Sequence, residues 1–292
     1  MAAKLEAALS TMEAPSYFRH TESMLRSFQI AEKTMKILRN FLLAAAALLA
    51  ATPALADLKV GVAAEPYPPF TAKDASGKWV GWEIDLVDAL CAEMKEKCEI
   101  VETAWDGIIP ALTASKIDVI IASMAKNAKR REVIDFSNTY YTSAAVMMGA
   151  KNGDMDFSPE RLAGKIIGVQ VASIHAAYAE KYYGKTATIQ TYQTQDEVNQ
   201  DLAAGRIDYV LANGTTLDAF LKSAQGGAFE AKGAVPLDVE IIGEGAGAGI
   251  RKGDTALAGK LNTALSALAK GGKLDEISAR NGLTGLIITP RE

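Results

Sequence analysis

The 292-residue sequence predicts an α/β protein with two sheets in series. Short apolar runs of strand length alternate with amphipathic helical stretches, and after "DFSNTYYTSAAVMMGAK" the alternation begins afresh. The composition, 49% hydrophobic and 23% charged, is that of a globular chain able to bury real cores. Strands alternating with helices of this length imply parallel sheets covered on both faces.

The elements follow in order. Before the first strand stands "MKILRNFLLAAAALLAATPALAD", with a positive start at Lys36 and Arg39, an apolar run from Phe41 to Ala51, and the small-x-small site Ala54-Leu55-Ala56. This reads as a secretory signal peptide over residues 35–56, cleaved after Ala56, which places the mature protein in the periplasm. The run is far shorter than the ~20 residues of a membrane-spanning helix. Residues 1–34 precede a complete signal peptide and match no targeting class, so they are expected to be an extension from a misplaced start, with Met35 the initiator. Leu58 to Val62 then reads as a strand and Glu83 to Met94 as an amphipathic helix, with Ile84, Leu86, Val87, Leu90 and Met94 on one side. Glu99 to Thr103 is a strand, Asp106 caps a helix through Leu112, Val119 to Ala122 is a buried strand and Lys126 to Glu132 a short helix.

In the second series Ser158-Pro159 starts a short helix. Ile166 to Val171, Ala187 to Thr191 and Tyr209 to Ala212 read as strands, with helices from Ser173 to Tyr182 and Gln195 to Ala204. The last segment gives one more strand and two helices, with Asp254 as a cap and Gly271-Gly272 as the break. Pattern alone leaves open whether these helices cover the second sheet or return to the first.

The net charge of −4 falls to −6 once residues 1–56, with six basic and four acidic side chains, are removed. That balance argues against a nucleic-acid binder, which carries a basic domain. The cluster Lys126, Lys129, Arg130 and Arg131 therefore needs another account. Two cysteines, Cys91 and Cys98, allow a single pairing, which persists in an oxidising compartment. His175 is the only histidine after the signal peptide, too few ligands for a zinc site, and no cofactor is expected.

Several segments in order resemble the periplasmic polar amino-acid-binding proteins of ABC importers, solute-binding family 3. They are "YPPF" (67–70), "GWEIDL" from Gly81, "SMAKNAKR", "VIDFS", "GKIIGVQ" and "AAGRIDYV", and the resemblance covers residues 57–288. Trp82 stands where the family more often has Phe or Tyr. The resemblance implies a two-lobed fold with two hinge-crossing strands and a single ligand closed between the lobes. It returns the last segment to lobe one, giving 57–142 with 246–292 as lobe 1 and 143–245 as lobe 2. It also implies a monomer that delivers its ligand to an inner-membrane ABC permease. Cys91 and Cys98 match a disulfide of the subgroup that binds basic amino acids.

Read from the residues, Arg130 opens a short helix after a buried strand, where free backbone N–H groups and the dipole favour an anion, and an arginine grips a carboxylate bidentately. The resemblance assigns Arg130 to the ligand α-carboxylate and leaves Lys126, Lys129 and Arg131 as a solvated face. It gives Ser123 backbone contacts, makes Ser173 the start of a helix with opposing N–H donors, and makes Tyr67 and Trp105 walls around the ligand side chain. Glu65 pairs with a distal positive charge. Two departures stand out: Ala125 replaces a hydroxyl and Asn213 a carboxylate, both on the ammonium side. A buried ammonium without that carboxylate costs several kcal/mol. A modified or secondary amine, as in opine conjugates, fits, and "WDGIIP" with "VLAN" resembles octopine-binding proteins. A free polar or basic amino acid competes, since Asn213 can still accept a hydrogen bond.

A dehydratase of the cyclohexadienyl type on the same fold is the enzyme alternative, and it needs a poised carboxylate. The sequence shows no paired carboxylates, no Ser-His-Asp set and no metal cluster, so no enzymatic activity is expected. A sensor domain is a third class, set aside because the chain ends about where the binding fold ends.

Overall fold

The computed structural model describes residues 33, 35, 36 and 57–283. The chain separates into two units, residues 1–55 and 56–292, and all elements named here lie in the second. The extension 1–34, the signal peptide 35–56 and its cleavage after Ala56 fall outside the described residues, apart from Lys33, Met35 and Lys36.

The first series runs β1 (Leu58–Ala63), β2 (Ala72–Lys73), β3 (Trp79–Val80), α1 (Trp82–Met94), β4 (Cys98–Thr103), α2 (Ile108–Thr113), β5 (Val119–Ile120), α3 (Ala128–Arg131) and β6 (Ile134–Tyr141). The second runs β7 (Ala145–Ala150), β8 (Ile166–Gln170), α4 (Ile174–Tyr183), β9 (Thr188–Tyr192), α5 (Gln195–Ala203), β10 (Tyr209–Asn213), α6 (Gly214–Leu221) and β11 (Phe229–Ala234). Then come α7 (Val239–Ile242), β12 (Ala246–Arg251), α8 (Thr255–Lys270) and α9 (Lys273–Arg280).

Two five-stranded sheets result, ordered β4-β1-β5-β12-β6 and β11-β7-β10-β8-β9. Both are mixed rather than parallel. β1 pairs in parallel with β4 and β5, but β12 runs antiparallel to β5 and β6. In the second sheet β10 and β9 flank β8 in parallel, while β7 is antiparallel to β10 and β11. The antiparallel pairings are those made by β7 and β12, the strands that follow the two crossings.

Alternation of side chains explains why both faces bury. Val119 and Ile121 join the core under α1, α8 and α9, whereas Ile120 and Ala122 join the one under α2. Likewise Tyr209 and Leu211 face α4, and Val210 and Ala212 face α5 and α6. A strand covered on both sides reads as a continuous apolar run. The last strand sits between β5 and β6, so the C-terminal segment returns to the first sheet.

Cys91 and Cys98 are joined, Cα atoms 6.2 Å apart, across the turn from α1 to β4. Two sequence expectations fail locally. Asp106 caps nothing: it lies in a 3-10 turn (Trp105–Gly107), and α2 starts from Gly107 without a side-chain bond. Ser158-Pro159 opens a turn closed by Leu162 N–H to Ser158 O at 3.0 Å, with no helix following.

The chain crosses between the sheets twice, from β6 to β7 and from β11 to β12. The second crossing lies against the segment after β5: Lys126 N–H donates to Gly245 O (2.9 Å) and Gly247 N–H to Met124 O (3.1 Å). Gly243 (φ 79°) and Gly245 (φ 96°) are required there, since a Cβ would stand 2.6 Å from Lys126 O and from Thr142 Cγ2 respectively.

Candidate functional site

A cavity of ≈ 310 Å³ lies between the sheets, within the size range of small-ligand sites. Glu65, Tyr67, Trp105, Ser123, Ala125, Arg130, Ser173 and Asn213 all line it, drawn from segments far apart in sequence.

Arg130 is buried, 8% exposed. Its helix α3 has four residues, and the Asn127 side chain caps it by accepting Arg130 N–H at 3.0 Å. The Arg130 N–H is thus occupied, and the guanidinium is the donor that this residue offers the cavity. Nη1 donates to Ala125 O (3.0 Å), and Nη2 reaches across the cleft to Ala172 O (3.3 Å). The Trp105 ring lies 5.2 Å from Cζ, a cation–π contact. Among the described residues no carboxylate pairs with Arg130, and burial lowers its pKa to about 10.

The neighbouring charges differ from one another. Lys126 is not part of a solvated face: it is 8% exposed, its Nζ meets Ser137 O at 3.4 Å, and burial lowers its pKa. The chain just after the second crossing packs directly on its stem, where a Cβ at Gly247 would stand 2.6 Å from Lys126 Cδ. Arg131 is exposed and pairs with Glu244 at 2.9 Å, while Lys129 is exposed.

Glu83, which sequence reading left unassigned, organises the site floor. Buried at 1% exposure, it accepts from Ser123 N–H (2.6 Å), Ser123 Oγ (3.0 Å) and Tyr140 OH (2.6 Å). Ser123, held at φ 53°, thus spends its N–H on Glu83. Burial raises the Glu83 pKa against these bonds. The signal was present in "GWEIDL", an acid placed beside residues of an apolar helix face.

Opposite, Ser173 caps α4 by accepting Ala176 N–H at 3.0 Å, and the N–H groups of Ile174 and His175, at the start of that helix, have no intrahelical partner. His175, in the first turn of α4, also lines the cavity; burial, then the Arg130 charge, lowers its pKa to about 3. Glu65 accepts from Trp105 N–H (3.0 Å) and from Gln170 Nε2 (3.5 Å). Tyr67 stacks on Phe70 with ring centroids 6.2 Å apart, and burial raises its phenol pKa to about 12.

Asn213 does not offer a free acceptor. Its Oδ1 caps α6, taking Thr215 N–H (2.9 Å) and Thr216 N–H (3.4 Å), and its Nδ2 donates to Tyr141 OH (3.4 Å). Ala125 forms a bridge with Ala246 and is buried.

The model of the bacterial extracellular solute-binding proteins, family 3, matches residues 58–283. The chain belongs to this family. Among relatives of this solute-binding protein, the L-arginine-binding protein of Pseudomonas aeruginosa is 38% identical over 75% of this chain and 85% of its own length. The lysine/arginine/ornithine-binding periplasmic protein of Escherichia coli is 37% identical over 73% and 83%. The octopine-binding periplasmic protein of Rhizobium meliloti is 36% identical over 75% and 82%. Among solved structures, an ancestral arginine-binding protein bound to arginine superposes with TM-score 0.70 at 33% identity, covering 77% of this chain and 97% of that one. A Silicibacter pomeroyi protein of the His/Glu/Gln/Arg/opine family in complex with lysine gives TM-score 0.69 at 30% identity, covering 79% and 99%. The two-lobed fold is that of these proteins, and the relatives are binding proteins rather than enzymes. This solute-binding protein is likewise a receptor and not an enzyme.

Proposed function

We propose that this receptor holds one amino acid or amino-acid conjugate between its lobes, with the ligand α-carboxylate on Arg130, and passes it to an inner-membrane ABC permease. What carries the reading is a buried guanidinium that lines a cavity and has no carboxylate partner among the described residues. Such a charge costs several kcal/mol unless a counter-charge arrives, and a ligand carboxylate is one. Ser173 and the first turn of α4 face it from the second sheet, and Tyr67 and Trp105 flank the ligand stem. The Glu65 carboxylate is placed for a distal cation such as a guanidinium.

On the ammonium side the reading favours a substituted amine. Asn213 spends its oxygen on the α6 cap and turns a donor inward, and Ala125 supplies no hydroxyl. An opine-type conjugate meets these conditions better than a free basic amino acid. The lobes divide at residues 142/143 and 245/246, with the C-terminal segment in lobe 1, and the protein acts as a periplasmic monomer released by cleavage after Ala56. Calorimetry of the mature protein with arginine, lysine, histidine, glutamine, octopine and nopaline tests the ligand class. Arg130→Ala is expected to abolish binding of whichever ligand the wild type takes; undiminished affinity in that variant rules out Arg130 as the anchor.

A further inference from the structure

Of the carboxylates that line the cavity, Glu65, Glu83 and Glu244, Glu83 is the most deeply buried, and no cation pairs with it among the described residues. It accepts three hydrogen bonds instead, two of them from Ser123. Its charge reaches the side where Ala125 and Asn213 stand: Tyr141 OH takes Asn213 Nδ2 at 3.4 Å, and burial, then Glu83, raises the pKa of that phenol. The direction of the Ser123 hydroxyl follows. A hydroxyl has one proton and two acceptor sites. With the proton given to Glu83 Oε2 at 3.0 Å, Ser123 Oγ can only accept from the cavity it lines. The backbone holds it there: Ser123 sits at φ 53°, a conformation uncommon outside glycine, and its N–H is tied to Glu83 Oε1 at 2.6 Å. Asn213 Oδ1 is taken by the α6 cap and Ala125 has no polar side chain, so neither can accept in its place.

We infer that Glu83 is a positioning residue for the ligand amine: it fixes the Ser123 hydroxyl as an acceptor for the ammonium, in place of the groups absent at residues 125 and 213. The inference rests on the reading that the ligand carboxylate lies on Arg130 and the amine toward Asn213. An ammonium only donates, so a hydroxyl turned the other way would meet it proton to proton. The carboxylate behind Ser123 also strengthens the acceptor, because hydrogen bonds in series polarise one another. In return the ammonium brings the positive charge that a buried carboxylate otherwise lacks. Glu83→Gln reverses this arrangement at constant size. The glutamine oxygen can still take Ser123 N–H and Tyr140 OH, but its nitrogen faces Ser123 Oγ as a donor and turns the hydroxyl proton into the cavity.

The test is calorimetry of the mature protein, as wild type, Glu83→Gln, Ser123→Ala and the double variant, with an amine ligand and its amine-free counterpart. The pairs are arginine with δ-guanidinovalerate, lysine with ε-aminocaproate, and octopine with the ether that has oxygen in place of its secondary amine. The readout is the affinity ratio within the pair whose amine wild type binds. A purely structural defect weakens both members alike, whereas loss of the amine contact lowers the ratio, by about tenfold in each single variant. The double variant should lose no more than the larger single loss, since Glu83 acts through Ser123. A ratio unchanged in Glu83→Gln, or losses that add in the double variant, overturns the inference and leaves Arg130 as the anchor. Should Glu83→Gln not fold, Ser123→Ala carries the test, and an unchanged ratio there overturns the inference. Wild type that binds none of the amines, or undiminished binding in Arg130→Ala, overturns the reading of the anchor and this inference with it.

Discussion

Asn213→Asp isolates the ammonium side of the site with little disturbance elsewhere. The Asn213 Oδ1 caps α6, and aspartate is as good an N-cap as asparagine, so Thr215 N–H and Thr216 N–H keep their acceptor. A carboxylate at a helix N-terminus gains about 0.3–1 kcal/mol from the dipole, so the fold should be no weaker. The second oxygen replaces Nδ2 opposite Tyr141 OH, which can turn from acceptor to donor. What changes is that a negative charge now lines the cavity. A hydrogen bond to a charged group contributes about 1.5–3 kcal/mol, and tenfold in affinity corresponds to about 1.4 kcal/mol. Affinity for free arginine should therefore rise by about 10- to 100-fold relative to wild type, and the preference between arginine and octopine should move toward arginine. Titration calorimetry on both proteins at one pH and salt concentration reads this directly. An arginine affinity that stays level or drops, in a variant that melts as high as wild type, refutes the placement of the ligand ammonium near residue 213.

Other outcomes follow from the same structure. Opening the Cys91–Cys98 bond frees a loop with a sequence separation of 7 residues, worth about 2 kcal/mol in the loop-entropy model, so reduction should lower the melting temperature by about 4–8 °C. An identical melt with and without reductant excludes that contribution. Glu83 has a pKa raised in the fold by burial, so its contribution to stability is full below its ordinary value of 4.5 and is lost as pH rises through the raised value. Glu83→Gln does not titrate. Its melting temperature relative to wild type should climb as pH rises above the ordinary value of 4.5, and a gap independent of pH contradicts the assignment.

Much of the site was legible because sequence order preserves local chemistry. Arg130, eight positions after a buried strand, and Ser173, at a helix start, both line the cavity and are marked by their own segments. Glu83 and His175 were not legible, because what matters about them is which loop closes over them. The same holds for Lys126: a lysine in a basic run reads as solvated until the second crossing, more than a hundred residues later, packs on its stem.

By itself the sequence determined the alternation of strands and helices, the apolar runs that need cover on both faces, the single possible cysteine pairing and the family. Tertiary structure alone decided strand direction at the crossings and the neutralisation of His175. It also decided the capping duty that takes Asn213 out of the acceptor set and the isolation of Arg130 from any carboxylate among the described residues. The physical reason is range: periodicity and capping act within a few residues, whereas burial and charge compensation depend on groups brought together from segments far apart in the chain.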